Sequence, residues 1–252
     1  MVYTIDNKGE IKMPSVLITG ADRGLGLSLC KEYLARGWTV FAGKYMKDYN
    51  FLEDLRASDT NLHIIPLDMG LEESIRSAVT KVAECVSALD MFISNAALMN
   101  TVKCNLYDPP MDLEAPWHSF RVNALGPILL TEELLPLLEH GKLKRLCFVS
   151  SEVSCITLMK NRHDNTYPYP MSKAALNMGV RLLHNNLYKQ GYTFRLFHPG
   201  WMKFRNKDGS LTETALYDPD QIGITAARYF ENPLLDEHRL VMVDYNGYEW
   251  PY

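Results

Sequence analysis

The sequence predicts a single α/β domain built on a doubly wound parallel sheet. Three observations support this class. Apolar, strand-like runs alternate with amphipathic stretches along the chain, a glycine-rich turn joins the first such pair, and no linker or internal repeat divides the sequence. Right-handed crossovers between parallel strands place helices on both faces of the sheet. With 252 residues, one such domain can bury a sizeable core.

The predicted elements follow one another in regular order. Strands are expected near residues 15–19, 38–43, 62–67, 90–94, 144–150, 193–198 and 239–244, and helices near 25–36, 49–57, 71–87, 115–139, 170–189 and 219–230. Residues 1–13 form a polar extension in which the stretch from Tyr3 to Ile11 is expected to fold as a small hairpin. We interpret residues 1–252 as one domain, whose ligand crevice lies at the carboxyl ends of the strands.

The glycine-rich turn occupies residues 19–26 (Thr-Gly-Ala-Asp-Arg-Gly-Leu-Gly), between an apolar run and an amphipathic stretch. In this context Gly20 permits a tight turn, Gly24 lets the backbone approach a pyrophosphate, and Gly26 lets the helix pack close to the strand. The helix N-terminus adds amide donors and a positive dipole. A flexible surface turn is the alternative interpretation, but the flanking elements favour a dinucleotide site.

A tyrosine and a lysine lie one helical turn apart, at Tyr169 and Lys173. A free phenol has a pKa near ~10, and a nearby cation favours its ionised form. Such pairs also occur by chance on solvated helix faces, so this pair takes its meaning from the glycine turn upstream. Tyr167 is the competing candidate, but it lies six residues before Lys173 and cannot share its helical face. We expect Tyr167 to form a pocket wall instead.

Further motifs follow the later strands in order: Asp68, Asn95-Ala96-Ala97, Asn123 within Val122-Asn123-Ala124-Leu125-Gly126, Ser150-Ser151 and Pro199-Gly200. Together with the glycine turn and the tyrosine–lysine pair, they resemble the motifs of the short-chain dehydrogenase/reductase superfamily. The resemblance runs from about Pro14 to the C-terminus. The phrases Tyr-Pro-Met-Ser-Lys-Ala-Ala-Leu-Asn-Met and His-Pro-Gly-Trp are most similar to the C-factor/sniffer-like carbonyl reductase branch.

The resemblance implies a Rossmann fold and an enzyme that reduces a carbonyl compound to an alcohol, or runs the reverse reaction, by hydride transfer. In that enzyme Tyr169 donates the proton, and Lys173 lowers the tyrosine pKa and holds the nicotinamide ribose. Ser151 hydrogen-bonds the substrate oxygen, and Asn123 anchors a water of the proton relay. The residues expected at the cofactor are Thr19, Gly20, Arg23, Gly24, Leu25, Gly26, Lys44, Asp68, Met69, Asn95, Ala96, Tyr169, Lys173, Pro199 and Gly200.

The charges near the second strand favour NADP(H) over NAD(H). NAD-binding proteins of this architecture usually carry an acid at the end of that strand, where it accepts hydrogen bonds from the ribose. Here the strand ends at Lys44, and Arg23 lies inside the glycine turn. Two cations near the ribose suit a 2′-phosphate. NAD(H) is the alternative if Lys44 is only a solvated loop residue and Asp48 binds the ribose.

Four features depart from the family pattern, one of them the absence of the glycine expected shortly after the catalytic serine, in Glu152-Val153-Ser154-Cys155. Ala97 replaces a glycine, Phe204 stands where a threonine usually meets the cofactor carboxamide, and the segment 152–168 is long, with a polar middle. That segment is either a solvated insertion or a lid over the substrate. The side chains expected to line the substrate pocket, which would suit an apolar carbonyl compound, are Leu98, Met99, Val153, Tyr167, Trp201 and Met202. Glu152 is also expected at the pocket, where it would add a polar requirement; the alternative is a surface acid.

Composition excludes several other classes of function. A net charge of −4 and a pI near 6.0 provide no basic surface for nucleic acid. No apolar run reaches the ~18 residues of a membrane span, and the N-terminus is too polar for a signal peptide. The five cysteines show no Cys-x-x-Cys spacing and the seven histidines no metal-ligand spacing. We therefore expect a cytoplasmic protein with reduced thiols and no metal site.

Two questions stay open at the level of sequence. One is whether the chain is an active reductase or a nucleotide-binding regulatory or signalling protein that turns over poorly; a dehydratase or epimerase is a third, weaker alternative. The other is self-association. The apolar helices 115–139 and 170–189 suit the interface of a homodimer or homotetramer, although their inner faces must also cover the sheet.

Overall fold

The computed structural model of the protein describes residues 4–5, 11–99, 113–159 and 166–252. Its strands are β1 (Thr4–Ile5), β2 (Ile11–Lys12), β3 (Ser15–Ile18), β4 (Thr39–Lys44), β5 (Leu62–Pro66), β6 (Met91–Ser94), β7 (Arg145–Val149), β8 (Thr193–His198), β9 (Met242–Asp244) and β10 (Glu249–Trp250). Its α-helices are α1 (Gly24–Ala35), α2 (Phe51–Ser58), α3 (Glu72–Cys85), α4 (Glu114–Phe120), α5 (Gly126–Glu139), α6 (Pro168–Leu187) and α7 (Pro219–Glu231).

In the part of the chain that the structure describes, eight strands form one sheet in the order β10-β9-β8-β7-β6-β3-β4-β5. Strands β3 to β9 run parallel, and β10 pairs antiparallel with β9. The chain order changes direction between β3 and β6, which opens a crevice at the carboxyl ends of these two strands. The predicted doubly wound parallel sheet in a single domain is confirmed.

The central strand β3 is buried along its whole length because both faces of the sheet are covered. Val16, Leu17 and Ile18 of β3 are all fully buried, as expected for a parallel sheet between two helical layers. Leu17 packs in a cluster that includes residues of α3, α5 and α6, whereas Val16 and Ile18 pack in a second cluster with residues of α1, α2 and α7. The two clusters form the core and hold the strand ends in place.

The predicted helix at 115–139 is divided in the structure. A π-helical turn, Arg121–Leu125, separates α4 from α5. Pro127 lies at the start of α5 and has no amide hydrogen to donate to the carbonyl of Asn123, so a regular α-helix cannot continue through this turn. Gly126 also passes close to the loop after β5, because a Cβ there would lie 2.3 Å from the Met69 carbonyl oxygen. The interruption therefore falls on a motif residue, Asn123.

The chain ends differ from the predicted pattern in small ways. Residues Thr4–Ile5 and Ile11–Lys12 pair antiparallel ahead of the sheet. The last parallel strand begins at Met242 rather than near 239, and β10 was not predicted. The β9–β10 turn depends on Asp244, whose carboxylate accepts hydrogen bonds from the amides of Asn246 and Tyr248 and from the Trp250 indole.

Candidate active site

The glycine turn between β3 and α1 is closely packed against the end of β6. Gly20 has a φ of +62°, and a Cβ on it would lie 2.7 Å from the Cα of Ala96. A Cβ on Gly26 would lie 2.2 Å from the Gly20 carbonyl oxygen. Gly24, with a φ of +56°, has open space around it. Two of the three glycines are thus required by close contacts and one by its backbone angle.

Side chains of the motif residues hold this turn in place. The Thr19 hydroxyl accepts hydrogen bonds from the amides of Asn95 and Ala96, both at 3.0 Å. The Asn95 side chain donates to the carbonyls of Thr19 at 2.9 Å and Gly20 at 3.0 Å. Thr19 and Asn95, predicted from separate motifs, are therefore brought together at the switch point.

The N-terminus of α1 is available to an anion. Among the described residues no side chain caps this helix, and its first turn contains no acid. Its uncapped amides and the helix dipole favour negative charge at this end. Leu25 is buried here against the core. A tight glycine cradle below an uncapped helix N-terminus fits the pyrophosphate of a dinucleotide.

Asp22 links the two segments that carry the predicted phosphate-binding cations. Its carboxylate accepts hydrogen bonds from the amides of Tyr45 at 2.9 Å and Met46 at 2.6 Å, directly after Lys44. Burial raises the pKa of Asp22, although these hydrogen bonds oppose the rise. Sequence reasoning missed Asp22, whose adjacency to Arg23 was the only signal.

The two cations have protein partners in the structure. The Arg23 guanidinium lies 5.2 Å from the Tyr49 ring centre and 5.4 Å from that of Phe204, and it donates to the Tyr49 hydroxyl at 3.1 Å. The Lys44 ammonium forms an ion pair with Glu53 at 2.7 Å. Phe204 therefore contacts the glycine turn through Arg23.

Asp68 and Met69 follow β5, next to this region. The Asp68 carboxylate accepts a hydrogen bond from the Gly70 amide at 2.8 Å, and the Asp68 amide donates to Ser74 at 2.8 Å. The Met69 side chain is buried in the core. Any contact of Met69 with a cofactor is therefore expected to come from its backbone.

Lys173 and Tyr169 lie on α6, as the helical spacing predicts. The Lys173 ammonium is buried, donates to the Val149 carbonyl at 2.8 Å, and lies 5.9 Å from the centre of the Tyr169 ring. Burial lowers the pKa of Lys173 to about 8. Burial raises the pKa of Tyr169 to about 12, and a hydrogen bond with Ser151 partly opposes that rise.

This result differs from the expected lowering of the tyrosine pKa by Lys173. The ammonium binds a backbone carbonyl and lies over the ring, while burial disfavours the charged phenolate. Tyr169 is consequently a protonated phenol at neutral pH, hydrogen-bonded to Ser151. In this state it is a donor rather than a base.

The side chain of Asn123 forms three hydrogen bonds to other groups of the protein. It accepts from the Leu98 amide at 2.6 Å and donates to the Leu98 carbonyl and the Ser172 hydroxyl, both at 2.9 Å. The Ser172 hydroxyl donates in turn to the Tyr169 carbonyl at 2.8 Å. Asn123 therefore joins the loop after β6 to the start of α6, which places Tyr169.

A second network supports the loop after β7, where a short 3₁₀ turn, Glu152–Ser154, follows Ser151. The Ser150 hydroxyl donates to the Asn177 side chain at 2.7 Å, and Asn177 donates to the Ser154 hydroxyl at 2.8 Å. The Ser154 hydroxyl donates to the Ser151 carbonyl at 2.5 Å. The sequence analysis did not identify Asn177 as a site residue. Its position one helical turn beyond Lys173 could have indicated that it lies on the same face of α6.

The predicted pocket residues lie at the same end of the sheet. Glu152 and Val153 follow β7 and are half-buried, while Tyr167 precedes α6 and is 40% exposed. Trp201, 56% exposed, and half-buried Met202 follow the Pro199–Gly200 turn after β8. The polar middle of the long approach to Tyr169, residues 160–165, lies outside the described residues.

Three further observations concern the described residues outside this site. Each helix that the structure describes is too short or too polar to cross a bilayer. Within the same residues, His, Cys, Asp and Glu side chains do not gather in threes as a metal site would require. A cavity of about 570 Å³ lies at the β5 edge, lined in part by His63, Lys81 and Cys85, and contains none of the predicted site residues.

Known proteins resemble this chain over most of its length. The family model for short chain dehydrogenase matches residues 14–214. C-signal of Myxococcus xanthus is 35% identical over 169 residues, which cover 67% of this chain and 95% of that protein.

Two solved structures extend the likeness to almost the whole chain. NADPH-bound carbonyl reductase from chicken fatty liver is 25% identical, with a TM-score of 0.82 over 96% of this chain and 100% of that one. Carbonyl reductase Sniffer of Drosophila melanogaster is 24% identical, with a TM-score of 0.80 and the same coverage. The predicted resemblance to the superfamily and to C-factor and sniffer-like proteins is confirmed.

Proposed function

The chain belongs to the short-chain dehydrogenase family, and we propose that it is an NADP(H)-dependent reductase that converts a carbonyl compound to an alcohol. The observation that carries this proposal is the pairing of two hydroxyls at the mouth of the crevice. Tyr169, a protonated phenol, is hydrogen-bonded to Ser151, with the buried Lys173 ammonium beside its ring. A carbonyl oxygen placed between the two hydroxyls would be both held and supplied with a proton.

Each residue of the site would have a separate role in the reduction. Bound NADPH would supply the hydride to the carbonyl carbon. The Ser151 hydroxyl would hold the substrate oxygen, and Tyr169 would transfer its proton to that oxygen as negative charge develops there. A positioned acid of this kind contributes about 10²–10⁴-fold to the rate.

Lys173 would support the phenolate that remains after proton transfer. With a pKa of about 8, its amine is mostly protonated at neutral pH. A positive charge fixed beside the ring by the Val149 carbonyl stabilises a negative phenolate more than a neutral phenol. The backbone carbonyl of Asn123, which Pro127 cannot pair with, is our candidate to bind a water that returns the proton.

The cofactor fits the cradle described above, and the charges around it support NADP(H). Arg23 and Lys44 lie in segments that Asp22 ties together. The chicken carbonyl reductase, which shares this fold, was crystallised with NADPH. We infer that a 2′-phosphate would draw the Lys44 ammonium away from Glu53, since a phosphate dianion is the stronger partner.

Lys44→Asp is expected to weaken NADPH binding about 10–100-fold while NADH binding stays within a few-fold of the wild type. The loss corresponds to one charge-assisted hydrogen bond of about 1.5–3 kcal/mol. Fluorescence titration with each nucleotide measures both affinities. Glu53→Gln is the matched control, because it removes the negative charge that pairs with Lys44 and should preserve or strengthen NADPH binding. Equal NADPH affinity in Lys44→Asp and the wild type would contradict the assignment.

The direct test of the activity is NADPH consumption with a panel of aldehydes, ketones and quinones. The proposal predicts that at least one compound is reduced, with one alcohol or hydroquinone formed per NADPH oxidised. The second candidate function, a regulatory protein that binds nucleotide without turnover, is favoured by Phe204, which brings an apolar ring against Arg23 where the family usually carries a threonine. Tight NADPH binding with no turnover of any compound would favour the regulatory function.

We also propose that a second copy of the chain covers an apolar surface on α4, the π-helical turn and α6. Five large apolar side chains there are at least half exposed: Trp117, Leu125, Met171, Met178 and Leu182. Sedimentation velocity should show a dimer or tetramer that Met178→Glu shifts to monomer, because a charge would then enter an apolar interface. A monomeric wild type at micromolar concentration would contradict this.

A further inference from the structure

His198, the last residue of β8, joins two loops of the candidate site. Its side chain is buried, and its Nδ1 faces two backbone donors, the amide of Glu152 at 3.2 Å and the amide of Gly200 at 3.4 Å. Glu152 directly follows Ser151, and Gly200 begins the segment that carries Trp201 and Met202.

We propose that His198 is a positioning residue whose unprotonated Nδ1 holds the Ser151 loop and the Pro199–Gly200 turn in register. A neutral imidazole has one N–H and one acceptor nitrogen, so two donors directed at Nδ1 select the tautomer with hydrogen on Nε2. One acceptor then sets the distance between the loop that carries Ser151 and the Pro199–Gly200 turn.

The Gly200 side of this link has little freedom to move. Gly200 has a φ of +76°, and a Cβ on it would lie 2.8 Å from the rings of both Tyr217 and Tyr245. The hydroxyls of these two tyrosines are hydrogen-bonded to each other. The turn is therefore fixed from outside by an aromatic wall, and His198 transmits that fixed position to Glu152 and hence to Ser151.

The surroundings of His198 favour its neutral form. Its ring meets the edges or faces of Trp250 at 5.2 Å and Tyr245 at 6.4 Å. Burial lowers the pKa of His198 below its ordinary range, and the carboxylates of Glu152 and Asp244 oppose the lowering only in part. The Asp244 carboxylate already accepts from two amides and the Trp250 indole. His198 is accordingly neutral at neutral pH.

Protonation would remove the link. A proton on Nδ1 turns the acceptor into a third donor facing two amides, so both hydrogen bonds are lost together. Since the pKa lies below the usual value near ~6.5, this loss falls on the acid side of neutrality. The geometry of the link rests on the structure, whereas its effect on turnover rests on the proposed function.

Two variants test whether His198 acts as a hydrogen-bond acceptor or only fills space. His198→Asn keeps an acceptor, Oδ1, on the same Cγ atom, and His198→Leu keeps a similar bulk without one. At one fixed neutral pH, hydrogen–deuterium exchange of peptides covering residues 150–156 and 198–204 should be about tenfold or more faster in His198→Leu than in the wild type, and close to the wild type in His198→Asn. Unchanged exchange in His198→Leu would overturn the proposal whether or not the protein is an active reductase.

Kinetics supply the second readout. We expect kcat for carbonyl reduction in His198→Leu to lie about tenfold or more below that of the wild type near neutral pH, because loosely held catalytic groups lose rate steeply. At acid pH the two rates should converge, because the wild type then lacks the same link. His198→Asn should stay within a few-fold of the wild type near neutrality and keep that rate at acid pH, where the wild type loses it. Equal kcat in the two variants across the pH range would overturn the role in turnover. A wild type without NADPH-dependent activity would instead count against the proposed function, and the exchange experiment would still decide the link.

Discussion

Tyr169→Phe is expected to lower kcat for carbonyl reduction about 10²–10⁴-fold while NADPH affinity changes little. The substitution removes one hydroxyl, and with it the hydrogen bond to Ser151 and the proton donor. It leaves the ring that lies over Lys173 and the helix that carries both residues. Initial rates of NADPH oxidation measure the loss, and fluorescence titration measures the affinity.

Tyr167→Phe is the matched control for this prediction. Tyr167 lies two residues away and is 40% exposed, so the same chemical change there should cost no more than a few-fold in kcat. If Tyr167→Phe lost the activity and Tyr169→Phe kept it, the proton donor would have to be reassigned to Tyr167. Full activity in both variants would mean that neither phenol donates the proton.

Gly26→Ala is expected to reduce NADPH affinity at least about tenfold and to lower the free energy of unfolding by about 1–3 kcal/mol. A Cβ at this position would lie 2.2 Å from the Gly20 carbonyl oxygen and 2.7 Å from the Asn95 side-chain nitrogen. The turn must therefore open, which moves the amides that would meet the pyrophosphate. NADPH titration and urea denaturation measure the two effects.

Gly191→Ala is the control for this prediction. It distinguishes a specific change in the glycine turn from a general loss of stability. Gly191 also has a positive φ, +85°, but a Cβ there would meet open space, and the residue follows the helical segment after α6. The change should destabilise the protein through its backbone angle alone and leave NADPH affinity unchanged. An equal loss of affinity in both variants would show that destabilisation, not the cradle, weakens binding.

Local patterns were sufficient to predict the parallel sheet and the positions of the motif residues along it. A buried parallel strand such as β3 is apolar along most of its length, from Val16 to Ile18, and a glycine turn between a strand and a helix has few other interpretations. Because the motifs follow successive strands, their convergence at one edge of the sheet could be expected from topology alone. The spacing of Tyr169 and Lys173 likewise placed both on α6.

Contacts between distant segments could not be predicted in the same way. The ion pair of Lys44 with Glu53, the ring of Phe204 over Arg23 and the link from His198 to Glu152 each join residues whose spacing carries no periodic signal. The pKa of Tyr169 depends on burial, which a helical spacing does not report. The π-helical turn at Asn123 did have a sequence cause, Pro127, but a proline near the start of a helix is usually tolerated.

The reaction itself is most directly tested with NADPH that carries deuterium at the transferable position of the nicotinamide. With a carbonyl compound that the protein consumes, mass spectrometry should find one deuterium on the carbinol carbon of each alcohol formed. The rate of its appearance should fall about 10²–10⁴-fold in Tyr169→Phe. Alcohol without deuterium, or deuterium transfer at an undiminished rate in Tyr169→Phe, would contradict a hydride transfer in which Tyr169 supplies the proton.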